Sequence, residues 1–432
     1  MKIVINPIRP ALCEATTEDF HLLVRLQSEP QVDFKHTPLN LVLVIDRSGS
    51  MQGPKLREAK RCVIDLVGRM SPLDHVGLVQ YDDTVDTVMP LSSVDQVGGI
   101  LQGLVQGITA GGSTNLHAGW LRASEMLAPN AGRDAACHVV LLSDGLANAG
   151  LVDTSRICDQ VAALAGAGVT TTTVGLGADF NEELMTSMAK AGQGNAHYGE
   201  RAIDLAETFE AEIGLLSQLQ WRSVEMTITR GPVGMEMLNA YEGTGNSWRM
   251  PSIAMGSECW ALLRMPMREA VRAQRENGTV LSIQVQAIDS LGERKTFSAQ
   301  LPPLTELQRP EFEGLLLHEL VQRRITELAA ARLQLRIREA ALHGDWMAVE
   351  ILLEQLETLG RHEPWVAASI SFTRQLMRER DEQRMSKEML YKSRKMQSRL
   401  SSMDEDIYSS AADFDAPAFL RRKVAEGRKT ER

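Results

Sequence analysis

Five apolar residues in a row, Leu41-Val-Leu-Val-Ile45, lead directly into Asp46-Arg-Ser48-Gly-Ser50-Met51. No other stretch restricts the fold of this chain as tightly. An unbroken apolar run of this length, closed by an acidic residue and a short polar loop, reads as a strand buried on both faces. Such a strand needs a parallel sheet covered by helices. The loop then offers oxygen donors at alternate positions, so Asp46, Ser48 and Ser50 can turn toward one point. That point lies beyond the carboxyl end of a strand, where open α/β sheets place their ligands. A carboxylate with hydroxyls is a hard donor set that suits Mg2+, with Mn2+ or Ca2+ as substitutes.

The chain around this stretch, residues 38–219, alternates strand and helix patterns. Pro54 is placed to open a helix over Lys55–Arg69, and His75–Tyr81 reads as the next strand, with Thr84–Met89 as an edge strand. Helices are expected over Val94–Gln106, Leu116–Leu127, Thr154–Ala167 and Ile203–Gln218, and after a cap at Asn181. Further strands are expected at Cys137–Leu142, Val169–Val174 and Gly194–Tyr198. The alternation predicts a Rossmann-like, doubly wound, mostly parallel sheet with right-handed crossovers. Two more segments bear on the loop. Thr114 sits in the Gly-rich Ala110-Gly-Gly-Ser-Thr114-Asn115, and Asp144 follows a buried strand in Ser143-Asp144-Gly145. Three hydroxyls and two carboxylates make most of an octahedral oxygen shell.

The flanks have different patterns. Residues 1–37 hold two strand candidates, Lys2–Asn6 and Phe20–Gln27. Residues 220–303 read as all-β, with strands at Ser223–Arg230, Met235–Tyr241, Ser257–Met265, Val280–Asp289 and Lys295–Leu301. Together they predict a β-sandwich into which the α/β domain is inserted. Residues 304–400 form a helical region with helices over Pro310–His343, Trp346–Leu359 and Pro364–Leu400. The last carries a Met stripe (Met377, Met385, Met389, Met396) that suits packing or a partner groove. Residues 401–432 have the composition of a disordered tail.

Composition narrows function. Of 432 residues, 44% are hydrophobic and 24% charged, enough apolar content for ample cores, and the net charge of −10 disfavours nucleic acid as a partner. No apolar run approaches the roughly 18 residues of a membrane span. The amino terminus lacks the pattern of a secretory signal. Five scattered cysteines without a CxxC pair suggest reduced thiols in a cytoplasmic protein rather than zinc or disulfides.

The segments Asp46-x-Ser48-x-Ser50, Thr114 in Gly-Gly-Ser-Thr-Asn, and Ser143-Asp144-Gly145 closely resemble the metal-ion-dependent adhesion site (MIDAS) of von Willebrand factor type A (VWA) domains. The resemblance spans roughly residues 38–219. It implies that Asp46, Ser48, Ser50 and Thr114 hold the metal directly or through water, and that Asp144 does so directly or from behind. It also implies a non-enzymatic interaction module in which a partner's acidic side chain completes the shell. The flanking β-segments look like those of bacterial cytoplasmic members of the YfbK type and of inter-alpha-trypsin-inhibitor-like chains. Bacterial members of this kind resemble scaffolds or regulators of AAA-type ATPases or of Ser/Thr kinase and phosphatase sets.

A Mg2+-dependent hydrolase is the alternative expectation from the residues. It would need a base near the metal, for which His117 is the nearest histidine to the loop ligands. No Gly-x-Ser-x-Gly motif occurs, and Gly49–Lys55 lacks the spacing of a phosphate-binding loop. A third expectation comes from the tail. Asp415-Ala-Pro417-Ala-Phe419-Leu420-Arg421-Arg422 is similar to the terminal peptide of the bacterial division GTPase FtsZ, making Phe419, Leu420, Arg421 and Arg422 docking candidates for a division-machinery adaptor.

Overall fold

The computed structural model describes residues 1–29, 38–131, 135–176, 180–199, 213, 216, 218–361, 364–398 and 401–402. They form two compact units, one built mainly on residues 33–219 and the other on the segments before and after it. The tail motif at Phe419–Arg422 and most of the helix expected over 203–218 lie outside the described residues.

The flanking unit opens with β1 (Lys2–Pro7), β2 (Ala11–Leu12) and β3 (Asp19–Gln27). The α/β unit follows in the order β4 (Leu39–Asp46), α1 (Pro54–Val67), β5 (His75–Tyr81), β6 (Val85–Ser93), α2 (Val94–Gly107), α3 (Leu116–Leu127), β7 (Ala136–Ser143), α4 (Thr154–Gly166), β8 (Val169–Leu176), α5 (Glu182–Ala191) and β9 (Gln193–Gly199). Its sheet runs β6-β5-β4-β7-β8-β9. Neighbours pair in parallel except β6, which lies antiparallel on β5. Both central strands, β4 and β7, are buried along their whole length. Leu41, Leu43 and Ile45 pack with Leu56, Ala59, Val63 and Leu66 of α1. The other face of the sheet carries α3, whose buried Trp120 donates Nε1–H to Thr171 Oγ1 of β8 at 3.0 Å. From β4 the chain steps outward to β5 and β6, then returns to the far side of β4 for β7. The reversal places a crevice at the carboxyl ends of β4 and β7.

In the flanking unit, the chain after the α/β unit supplies β10 (Leu219–Arg230), β11 (Glu236–Met237), β12 (Gly243–Thr244), β13 (Ser247–Met250), β14 (Ile253–Ala254), β15 (Ser257–Pro266), α6 (Met267–Asn277), β16 (Ser282–Ile288), β17 (Arg294–Gln300) and β18 (Thr305–Glu306). Strand β3 pairs antiparallel with β15, in register from Asp19↔Pro266 to Gln27↔Glu258. The sheet β1-β3-β15-β11 therefore joins chain from both sides of the α/β unit, and a second sheet runs β12-β13-β10-β16-β17. Leu22, Val24, Trp260 and Leu262 of the first share one core with Met226, Ile228, Ile283 and Val285 of the second.

Four elements differ from the sequence reading. The all-β segment contains a helix, α6, which buries Met267, Ala270 and Val271 at helical spacing and ends at Gly278 in the left-handed conformation. The strand expected over Met235–Tyr241 shrinks to Glu236–Met237. Two of the long helices are broken. Residues 310–343 divide into α7 (Arg309–Glu313) and α8 (Glu319–Leu342), interrupted after Gly314. Beyond α9 (Trp346–Gly360), residues 364–400 divide into α10 (Pro364–Glu379) and α11 (Glu382–Ser398). Arg380 has φ 51° there, and Asp381 accepts the Arg384 N–H at 3.0 Å to start α11. Met385 and Met389 are buried, so at these positions the stripe packs inward. Leu320, Val321 and Leu328 of α8 join the sandwich core, and the Arg324 guanidinium lies 4.6 Å over the Trp260 ring. The start of the helical region thus belongs to the β-sandwich.

Candidate metal centre

Asp46 ends β4, beside Tyr81 at the end of β5 and across from Ser143 at the end of β7. Residues in register on parallel strands point to the same face, so these three side chains converge. Asp46 accepts the Ser48 N–H on Oδ1 at 2.9 Å and the Ser143 hydroxyl on Oδ2 at 2.5 Å. The Ser48 and Ser50 hydroxyls stand 3.1 Å apart. Ser48 is buried and Ser50 exposed, which sets Ser50 at the mouth of the crevice. The residue between Asp46 and Ser48 points elsewhere: Arg47 pairs with Asp82 at 3.0 Å and hydrogen bonds Thr84.

Hydrogen bonds stitch three separate loops into one rim. Gly49 N–H donates to the Gly112 carbonyl at 3.1 Å, tying the Asp46 loop to the Thr114 loop. Asn148 clamps Thr114 from both sides. Its Oδ1 accepts the Thr114 N–H at 2.8 Å, and its own N–H donates to the Thr114 carbonyl at 3.1 Å. That ties the Thr114 loop to the loop after Asp144. Asn115 caps α3 by accepting the Ala118 N–H. Gly112 has φ +64°, and a Cβ there would collide with Asp83 Oδ1 and stand 2.9 Å from Asp82 Cβ, so only glycine fits.

Asp46 and Asp144 are both fully buried. Burial raises the Asp46 carboxyl above its ordinary value, Ser143 and Ser48 pull it back by hydrogen bonding, and the charge of Asp144 raises it again. Asp144 Oδ2 accepts Lys55 Nζ at 3.2 Å, and its Oδ1 accepts the Leu146 N–H at 3.3 Å. The Tyr81 phenol is pushed well above its ordinary value by burial and then by the Asp46 charge. Two buried carboxylates in one crevice are costly unless cations offset them. Together with serine and threonine hydroxyls they form the donor set that a hard divalent ion prefers, so the residues fit such an ion. Among the described residues, no cluster of three or more His, Cys, Asp or Glu side chains makes a conventional metal centre. His117 is turned to α4, where its Nε2 meets Gln160 Oε1 at 2.8 Å.

Sequence reasoning did not single out Lys55, Tyr81 or Asn148. A lysine in the first turn of a helix opposes the helix dipole, and that was the readable signal for Lys55. Tyr81 and Asn148 gave none, because their roles depend on strand register and loop pairing.

Residues 40–211 match the von Willebrand factor type A domain family. The chain carries a VWA domain. An uncharacterized protein of Synechocystis, sll0103, is 24% identical over 218 residues, which cover 50% of this chain and 51% of that one. Inter-alpha-trypsin inhibitor heavy chain H1 of Mesocricetus auratus is 31% identical over 131 residues, covering 28% of this chain and 14% of that one. The chain therefore matches about half of the first relative's length and a small part of the second's. A von Willebrand factor type A protein from Catenulispora acidiphila superposes with a TM-score of 0.64 at 15% identity, over 85% of this chain and 88% of that one, which shows a shared fold. VWA domains are common protein–protein interaction modules. No helix among the described residues is long and apolar enough to cross a membrane.

Proposed function

We propose that the VWA domain of this chain binds a protein partner through a Mg2+ ion held by Asp46, Ser48, Ser50, Thr114 and Asp144, and that the chain performs no catalysis of its own. The observation that carries this reading is the stitched rim, in which Gly49–Gly112, Thr114–Asn148 and Ser143–Asp46 bonds lock all three donor loops onto one crevice. When bound, the ion supplies an open coordination position for an acidic side chain of the partner. The chain's own residues orient the donors and exclude water from the inner side of the crevice. Mn2+ and Ca2+ have the same preference for oxygen donors. His117, engaged with Gln160, offers no base aimed at the crevice, which favours a grip over a hydrolase. The partner class we favour is an AAA-type ATPase or a Ser/Thr kinase and phosphatase set, with the chain as scaffold or regulator in the cytoplasm. The Phe419–Arg422 peptide is a candidate second docking element.

The test is Mn2+ binding to the full chain, followed by partner capture with and without chelator. Wild type binds one ion, and Asp46→Ala and Thr114→Ala lose both ion and partner while keeping the folded circular-dichroism spectrum. Capture that survives chelator and both substitutions refutes the metal-dependent reading. Mg2+-dependent phosphatase or nucleotidase turnover that disappears in Asp46→Ala establishes the hydrolase instead.

A further inference from the structure

Lys55 breaks a local rule. It occupies the second position of α1, directly after Pro54, where a positive charge opposes the helix dipole, and no acidic residue in that first turn offsets it. Local choices that conflict with the element they sit in mark functional positions more often than accidents. The side chain does not extend into solvent: it is 19% exposed, and its ammonium lies 3.2 Å from Oδ2 of the fully buried Asp144. Arg47, next to Asp46 in sequence, is directed instead to Asp82 and Asp86. Lys55 therefore holds one oxygen of a carboxylate assigned above to the metal shell, and it holds it from the partly open side.

Resting on that assignment, we propose that Lys55 is an internal counter-ion that sets the metal affinity of the site and couples it to partner binding. Its ammonium neutralises Asp144 when no ion is bound. A divalent ion must then displace this contact or endure a positive charge beside it, and either effect weakens metal binding. Once displaced, the ammonium lies at the edge of the crevice, on the N-terminal turn of α1, where both its charge and the helix dipole favour an incoming carboxylate. The metal alone binds weakly, and the acidic group of a partner completes two attractions at once. Metal and partner binding are thereby linked with positive sign, and by reciprocity each tightens the other.

The experiment is Mn2+ titration of the full chain, read from the free-ion electron paramagnetic resonance signal. The chains compared are wild type, Lys55→Met, Lys55→Arg and Asp46→Ala, with melting curves recorded with and without Mg2+. Lys55→Met is expected to bind Mn2+ about tenfold more tightly than wild type, the size of effect expected for one charged hydrogen bond. Its melting temperature rises more on Mg2+ addition than that of wild type. Lys55→Arg, which keeps the charge, stays within about threefold of wild type. If Lys55→Met does not fold without metal, Lys55→Gln, whose amide still donates to Asp144, carries the same expectation in weaker form. Wild type that binds, Asp46→Ala that does not, and a Lys55→Met no tighter than wild type overturn the role of Lys55 and leave the site standing. Wild type that fails to bind overturns the site and this inference together.

Discussion

Replacing Gly112 with alanine tests whether the rim depends on one backbone conformation. Gly112 has φ +64°, and holding an L-residue there costs about 1–2 kcal/mol. The new Cβ would stand 2.9 Å from Asp82 Cβ, and Asp82 cannot retreat freely, because Arg47 at 3.0 Å and the Thr84 N–H at 2.8 Å hold its carboxylate. The loop must shift instead, which strains the Gly49 N–H bond to the Gly112 carbonyl and adds about 1 kcal/mol. The sum is about 2–3 kcal/mol, a fall of roughly 4–12 °C in melting temperature for a unit of this size. Gly103 is the control. It lies exposed in α2, and a Cβ there meets nothing within 4 Å. Gly103→Ala is expected to stabilise by up to about 1 kcal/mol through helix propensity and lost unfolded-state freedom. Differential scanning calorimetry reads both variants, and Mn2+ titration should show weakened binding in Gly112→Ala alone. A Gly112→Ala protein that melts with or above Gly103→Ala and binds Mn2+ normally would show that the Gly49–Gly112 tie does not position the site.

Other outcomes follow from the same contacts. Asn148→Ala leaves the buried Thr114 N–H without its side-chain acceptor, costs about 1–3 kcal/mol, and lowers Mn2+ affinity while the Asp46–Ser143 bond persists; calorimetry and ion titration check both parts. In the flanking unit, Arg25 pairs with Glu258 at 2.9 Å, both side chains nearly fully buried. Arg25→Leu strands the Glu258 charge and is expected to destabilise that unit by about 3–5 kcal/mol without changing Mn2+ affinity, and the Arg25→Leu/Glu258→Leu double variant should recover part of the loss in chemical denaturation.

The sequence alone settled the core of the α/β unit. A run of five apolar residues ending in Asp46 is legible because burying both faces of a strand leaves no alternation, and β4 is buried along its entire length. The loop that follows was legible too: Asp46 closes β4, and the proposed donors Ser48 and Ser50 come directly after it. Helix ends were less legible. The apolar period of residues 310–343 continues across Gly314, and the break comes from a glycine and a short exposed stretch that periodicity does not register. Helix α6 was missed because its apolar set, Met267, Ala270 and Val271, is brief and lies between strands.

Tertiary structure decided what surrounds the proposed donors. Strand register placed Tyr81 and Ser143 against Asp46, a relation between residues 35 and 97 positions apart that no local pattern encodes. Loop pairing placed Asn148 on Thr114, and the course of α1 placed Lys55 on Asp144. It also joined β3 to β15 across the whole inserted unit. The reason is common to all four. A short segment fixes its own backbone and the face each side chain takes, but a contact between distant segments depends on how the sheet orders its strands, and that order is settled only when the whole core is buried.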